Sequence, residues 1–179
     1  IVAISGLVKA TVSDTFCDPS VTEPIKATPI DPPTLAMAFR INDGPLAGKE
    51  GDKVQSRVIR DRLMREAEGN IALRVSMSET ETDAFEVAGR GELQLGILIE
   101  TMRREGYELT VGQPTVLVKE IDGKKCEPYE NLVVDVPQEF SGKVIDLVTQ
   151  RKGEMLVMES KGEMQHLEFE IPSRGLIGL

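Results

Sequence analysis

The stretch GELQLGILIETMRREG, residues 91–106, decides how this chain folds. Leu95, Leu98, Ile99 and Met102 fall at i, i+3, i+4 and i+7, a spacing that lines four apolar side chains along one face of an α-helix. Gly106 stands where such a helix needs a left-handed residue to stop. Just before it, AFEVAG (84–89) carries Phe85 and Val87 at a period of two, and NIALRVSM (70–77) alternates Ile71, Leu73, Val75 and Met77. Both read as half-buried strands. The acidic SETETD between them supplies the turn.

Working outward, LAMAFRI puts Leu35, Met37, Phe39 and Ile41 on one face of another strand. A helix is expected from about Asp52 to Ala67, with Val54, Val58, Ile59 and Leu63 inward. A last strand or two covers YELTV and TVLVKEI. The order β-α-β-β-α-β is that of a ferredoxin-like sandwich, two helices on one face of a four-stranded antiparallel sheet. It accounts for residues 34–120. The pattern then restarts over 121–179: ENLVVDV as a strand, SGKVIDLVTQRKG as a helix with Val144, Leu147 and Val148 inward, then EMLVMES and MQHLEFEI as two strands. The expected fold class is therefore α+β, with two ferredoxin-like units in tandem and the second incomplete. The helix endings MRREG and TQRKG echo one another.

The first 33 residues differ. IVAI and GLVKATVSDTF read as strand, turn and strand, too short to fold alone, and residues 18–34 hold five of the ten prolines in an extended linker. The start at Ile1 and the stop at Leu179 suggest a piece of a longer protein.

Composition narrows the function classes. The chain has 179 residues and a net charge of −9, which argues against indiscriminate nucleic-acid binding, since that depends on neutralising many phosphates together. Two tyrosines, five phenylalanines and no tryptophan leave little for stacking on bases. No run is long and apolar enough for a membrane helix, and no leader segment is seen. Cys17 and Cys126 lie far apart, form no C-x-x-C pair and suit a reducing cytosol.

Several short motifs invite chemistry and mostly lose it on inspection. GPLAGKEG (44–51) has the flavour of a phosphate loop, but three residues rather than four separate its first two glycines. Glu50 also stands where a P-loop needs Ser or Thr. It reads as a polar turn before a helix. GRGEL (89–93) begins like G-x-G-x-x-G, with Gln94 in place of the third glycine, so it is no dinucleotide fingerprint. Gly89, Arg90 and Gly91 could still form a tight turn that meets a phosphate or a carboxylate of another domain. His166 alternates with Leu167, Phe169 and Ile171, so it is expected to point away from their core on a surface strand position. It has no histidine or cysteine partner for a metal or a catalytic triad. Glu79, Glu81 and Asp83 lack the glycine-bearing loop of a calcium site and read as a solvated turn. No metal site is expected. Basic residues gather at helix ends, Arg103 with Arg104 and Arg151 with Lys152, while Lys124 and Lys125 are expected in the turn between units. These, with Arg174, are the candidate phosphate contacts of an otherwise acidic chain.

The segments GRGELQLGILIETMRREGYEL, EPYENLVVDVPQ, TQRKGEM and IPSRGLIGL resemble the TypA/BipA family of translational GTPases, over the whole chain. IPSRGLIGL is the most specific element. The resemblance implies that residues 1–33 close the family's second domain, a β-barrel shared with elongation factor G. Residues 34–120 would be its third domain, and 121–179 would begin the equivalent of elongation factor G's fifth. It also implies that GTP and magnesium are bound by a G domain outside this chain, and that the chain is a non-catalytic lever. That lever would couple the G domain and a C-terminal domain to the ribosome, its RNA and its proteins, in the cytoplasm. Neither a membrane nor DNA is an implied partner. Ribosome assembly, translation and stress response are the implied settings. Gln94 departs from the histidine that many translational GTPases carry in GELHL, so no histidine role transfers there. Two other classes stand against this reading: a small-molecule-sensing module of paired ferredoxin-like domains, and an acylphosphatase-like enzyme. The second lacks a convincing arginine-bearing phosphate loop.

Overall fold

In the computed structural model, residues 2–7, 10, 14–26, 30–78 and 83–179 are described. The chain divides into two compact units, one of residues 1–33 with 37–113, the other of residues 34–36 with 114–179.

In the first unit the strands are β1 (Leu35–Ile41), β2 (Arg74–Met77), β3 (Ala84–Gly89) and β4 (Leu109–Val111), in the spatial order β2-β3-β1-β4. Helix α1 (Ser56–Gly69) joins β1 to β2, and α2 (Glu92–Arg104) joins β3 to β4. Ile59 and Leu63 from α1 and Leu95, Leu98 and Met102 from α2 meet Phe39, Phe85 and Val87 in one buried cluster. Both helices therefore cover the same sheet face. Each such side chain contributes about 1.5–3 kcal/mol when taken out of water. Phe39, Ile59, Leu63, Val87, Leu95 and Met102 are fully buried, which makes this cluster the anchor of the unit.

The two helices are also tied by charge. Arg62, nearly buried, donates from Nε and Nη2 to Glu105 at 2.7 and 3.0 Å and from Nη1 to Glu66 at 2.8 Å. The Glu105 carboxylate beside it holds the Arg62 pKa above its ordinary value. Helix α2 ends with two bonds typical of a Schellman turn: Gly106 N–H to the Arg103 carbonyl and Tyr107 N–H to that of Met102. Gly106 has φ +86°, the left-handed conformation expected of it.

In the second unit the two-residue strand β5 (Thr115–Val116) pairs with Leu35 and Ala36, the opening residues of β1. A hairpin of β6 (Lys119–Ile121) and β7 (Lys124–Cys126) follows, closed by Asp122 and Gly123 at φ 51° and 73°. Two positive φ values in a two-residue loop mark a type I′ turn, for which Asp-Gly is well suited. Then come β8 (Tyr129–Pro137), α3 (Ser141–Gln150), β9 (Glu154–Lys161), β10 (Met164–Pro172) and the short α4 (Ser173–Leu176). The sheet order is β8-β10-β9, antiparallel throughout, with a register shift opposite Glu168 and Phe169. First, third and second strands in that order are three of the four strands of a ferredoxin-like sheet. The fold is thus α+β, with two ferredoxin-like units in tandem.

Three expectations need correction. Leu147 is 44% exposed, and Val144, Ile145 and Val148 are the α3 residues that pack on Leu167, Phe169 and Ile171. A step of one residue rotates a helix by about 100°, so Ile145 and Leu147 cannot both face the sheet. The strand over NIALRVSM begins only at Arg74, because Ile71 and Ala72 belong to a turn in which Asn70 accepts the N–H groups of Ala72 and Leu73. Among the described residues before Thr34 there is no strand. A strand there needs a partner ladder, and the described part of the chain supplies none. Residues 1, 8, 9, 11–13 and 27–29 of that stretch, and Glu79 and Glu81 of the acidic turn, lie outside the described residues, so the correction extends only to the described part of the expected strands.

Candidate functional site

The basic helix ends, alike in sequence, are used differently. Arg103 and Arg104 both reach back one turn to Glu100, with Nε to carboxylate distances of 2.8 Å for each. Hydrogen bonds from Arg103 and then Arg104 pull the Glu100 pKa down to about 2. All three side chains are on the surface, where such pairs add little stability.

Helix α3 ends in the same two Schellman bonds, from Lys152 N–H to the Thr149 carbonyl and from Gly153 N–H to that of Val148. Here the left-handed position, φ +67°, is taken by Lys152 and not by a glycine. Gly153 is required for another reason: a Cβ on it would lie 2.3 Å from Val148 Cγ1. Arg151 does not extend into solvent, as the sequence had suggested. Its Nη1 donates to the carbonyls of Gly175 and Ile177 at 3.0 and 2.8 Å, and its Nη2 to that of Gly178 at 2.8 Å. The guanidinium thus clasps the end of α4 and the turn after it, satisfying the Gly175 carbonyl that the helix end leaves open and two carbonyls of the turn. The backbones are close too, since a Cβ on Gly175 would be 2.8 Å from the Arg151 carbonyl.

That clasp brings Lys152 and Arg174, far apart in sequence, to positions one residue either side of a single backbone contact. Both are exposed. Arg174 pairs with Glu127 at 3.2 Å, and Ser173 N–H bonds the Pro128 carbonyl, so the chain leaving β7 runs beside α4. Lys124 and Lys125 are exposed residues of β7 itself, not of a turn between units. The buried Ser173 donates to Glu130 at 2.6 Å, and Thr34 donates to the same oxygen at 3.1 Å.

At the start of α2, Arg90 N–H donates to Gln94 Oε1 at 2.8 Å, so Gln94 caps the helix from its third position, and Arg90 Nη2 pairs with Asp31 at 3.1 Å. Gly89 is buried, and a Cβ there would meet Gln94 Oε1 and Leu95 Cδ2 at 3.0 Å. Gly91 has extended backbone and open space around it, a position any residue could occupy.

The loop GPLAGKEG does hold an anion, and the anion belongs to the chain. The Glu108 carboxylate accepts from Gly48 N at 3.1 Å to each oxygen, Glu50 N at 3.2 Å, Gly51 N at 3.1 Å and Asn42 Nδ2 at 2.5 Å. Partial burial opposes ionisation of Glu108, but the amides of Glu50 and Gly48, the Asn42 side chain and Gly51 outweigh it, so its pKa lies below the ordinary value. Nothing in the spelling of Glu108 announced this role; only the glycine-rich partner loop did.

His166 sits between two carboxylates, Nδ1 2.6 Å from Asp135 and Nε2 3.1 Å from Glu168, and these raise its pKa, Asp135 most. Its side chain is 13% exposed, more covered than a surface strand position implies. Among the described residues no three His, Cys, Asp or Glu side chains are placed to hold a metal ion, and no helix is long and apolar enough to cross a membrane. Both cysteines are free thiols.

Comparison with known proteins adds relatives. Residues 124–179 match the family model described as elongation factor G C-terminus. The chain is 50% identical over 179 residues to the large ribosomal subunit assembly factor BipA of Salmonella typhimurium, covering 99% of this chain and 29% of that protein. The proteins of the same name from Synechocystis and Bacillus subtilis are 52% and 48% identical, again over 99% of this chain and 30% and 29% of theirs. The chain therefore spans less than a third of the length of these relatives. With about half its residues shared across nearly its whole length, the chain is similar to a segment of the BipA proteins.

Proposed function

We propose that this chain is a non-catalytic, ribosome-docking and interdomain-coupling part of a cytoplasmic translational GTPase. GTP and magnesium would be held by a G domain elsewhere in such a protein. The relatives are named for large ribosomal subunit assembly, and the reading extends that setting to this chain, with assembly, translation and stress response as its contexts. The observation that carries it is the clasp of Arg151, which gathers the exposed Lys152 and Arg174 at one end of an acidic chain's second unit. Ribosomal RNA phosphates are the partner such a local cationic end would fit. Lys124 and Lys125 are further contacts on the same unit. Arg103 and Arg104, engaged by Glu100, are secondary. The Gly89, Arg90 and Gly91 turn, rigidly capped by Gln94, would meet the G domain or C-terminal domain.

The test is the affinity of the full-length protein carrying this segment for large ribosomal subunits, measured against potassium concentration. Losing two phosphate contacts should flatten the log-log slope by about 1–2 units. Lys152→Ala/Arg174→Ala should do so, while Lys26→Ala leaves it unchanged. An unaltered slope and affinity in the double variant would remove this surface from the interface.

A further inference from the structure

The amides around Glu108 form a nest, a concavity of backbone N–H groups of the kind that elsewhere binds phosphates and other oxyanions. Its construction is specific. Gly48 takes φ +79°, a conformation costly for any side-chain-bearing residue. Gly51 packs so closely that a Cβ would lie 2.6 Å from the Gly106 carbonyl. Asn42 accepts the Gly44 N–H on Oδ1 at 3.0 Å, which turns its NH2 group toward the carboxylate. The floor is pinned without help from the carboxylate: Lys53 N–H bonds the Gly106 carbonyl, Glu108 N–H bonds that of Lys53, and Lys53 Nζ donates to the Glu105 carbonyl at 2.7 Å. Lys53 Nζ also lies 4.7 Å from the centre of the Tyr107 ring. Four converging donors, two obligatory glycines and a fixed floor exceed what a simple polar turn requires.

We propose that residues 42–51 are an oxyanion-binding nest whose resident ligand is the chain's own Glu108 carboxylate, and that inorganic phosphate takes the site when that carboxylate is removed. A carboxylate and a phosphate present the nest with the same chemistry, delocalised negative charge on oxygen acceptors. The carboxylate, held beside the loop by the bond from Glu108 N–H to the Lys53 carbonyl, competes at a high effective concentration, which closes the site to dissolved phosphate in the wild-type chain. This accounts for a loop with the flavour of a phosphate binder in a unit proposed to bind no nucleotide. It does not depend on the ribosome-docking reading.

The experiment follows the backbone amides of Gly48, Glu50 and Gly51 by NMR in the wild-type chain, Glu108→Ala and Glu108→Gln. Sodium phosphate is titrated against sodium chloride at matched ionic strength. In Glu108→Ala, phosphate at millimolar concentration should shift all three amides saturably, chloride should not, and the wild type should respond to neither. Hydrogen exchange at these amides should quicken at least tenfold in Glu108→Ala and slow again when phosphate is added. Glu108→Gln keeps the side-chain shape without the charge, and phosphate should displace its neutral amide. Absence of a phosphate-specific response in both variants overturns the proposal. An equal response in the wild type overturns it too, because phosphate would then be binding elsewhere.

Discussion

The ends of α2 and α3, MRREG and TQRKG, share an arginine and a closing glycine and make the same pair of Schellman bonds, offset by one residue between them, yet nearly every residue in them has a different task. In α2 the glycine supplies the left-handed turn and the arginines stay on the surface with Glu100. In α3 a lysine makes the left-handed turn, the glycine yields space to Val148, and the arginine turns inward to hold the carbonyls of Gly175, Ile177 and Gly178. Backbone hydrogen bonding at a helix end is local, so it survives the exchange of residues. What each side chain does depends on which other segment lies within reach, and that differs between the two units.

The comparison breaks most visibly at the glycines. Gly153→Ala should destabilise the second unit by about 3 kcal/mol, since its methyl must displace a buried β-branched side chain and crowd a carbonyl. Gly106→Ala, whose difficulty is backbone conformation, should cost the first unit about 1–2 kcal/mol. Urea melts followed by amide signals of each unit measure both, and equal costs would mean that Val148 moves aside easily.

The arginines come next. Arg151→Ala should cost about 1.5–3 kcal/mol, the range for hydrogen bonds to a charged group, and should raise hydrogen exchange around residues 175–179. Arg103→Ala should change stability by less than about 0.5 kcal/mol, as exposed ion pairs do. A smaller gain is expected from Lys152→Gly. It relieves about 1–2 kcal/mol of left-handed strain and returns about 0.5–1 as glycine's greater freedom when unfolded, for a net stabilisation of about 0.5–1 kcal/mol.

The smallest effect is one of pH. Glu100 has a folded-state pKa of about 2, below the ordinary 4.5, so the stabilisation it brings is fully present above the unfolded value and is lost as pH falls through about 2. The Arg151 clasp uses neutral carbonyls and should show no such dependence. Carboxyl NMR titration should place the Glu100 midpoint near 2, and Arg103→Ala/Arg104→Ala should return it to the ordinary carboxylate range. An ordinary midpoint in the unsubstituted chain would show that the ion pairs are transient.

The elements that could be read from the chain are those with strong periodicity. The α2 stripe of Leu95, Leu98 and Met102 is buried as its spacing demanded, and Phe85 and Val87 face the core as alternation required. Weaker patterns misled by one residue or a few, at Leu147 and at Ile71, where neighbouring apolar side chains offered two nearly equivalent faces or a turn intervened. The candidate site was legible only as a set of cations. The Arg151 clasp, the placing of Lys152 and Arg174 on either side of it and the Glu108 nest have no short-range signature, because each involves residues separated by 20 or more positions.

By itself the amino-acid sequence determined the βαββαβ order of the first unit, the buried stripe of α2 and the Gly106 stop. These follow from backbone geometry and hydrophobic periodicity, which act over a turn or two of chain. The tertiary structure alone decided which cations are spent inside the fold and which remain at its surface, and which anion fills the nest. Charges and hydrogen-bond donors are satisfied by whatever partner the fold brings within about 3 Å, and that choice is made only when distant segments meet.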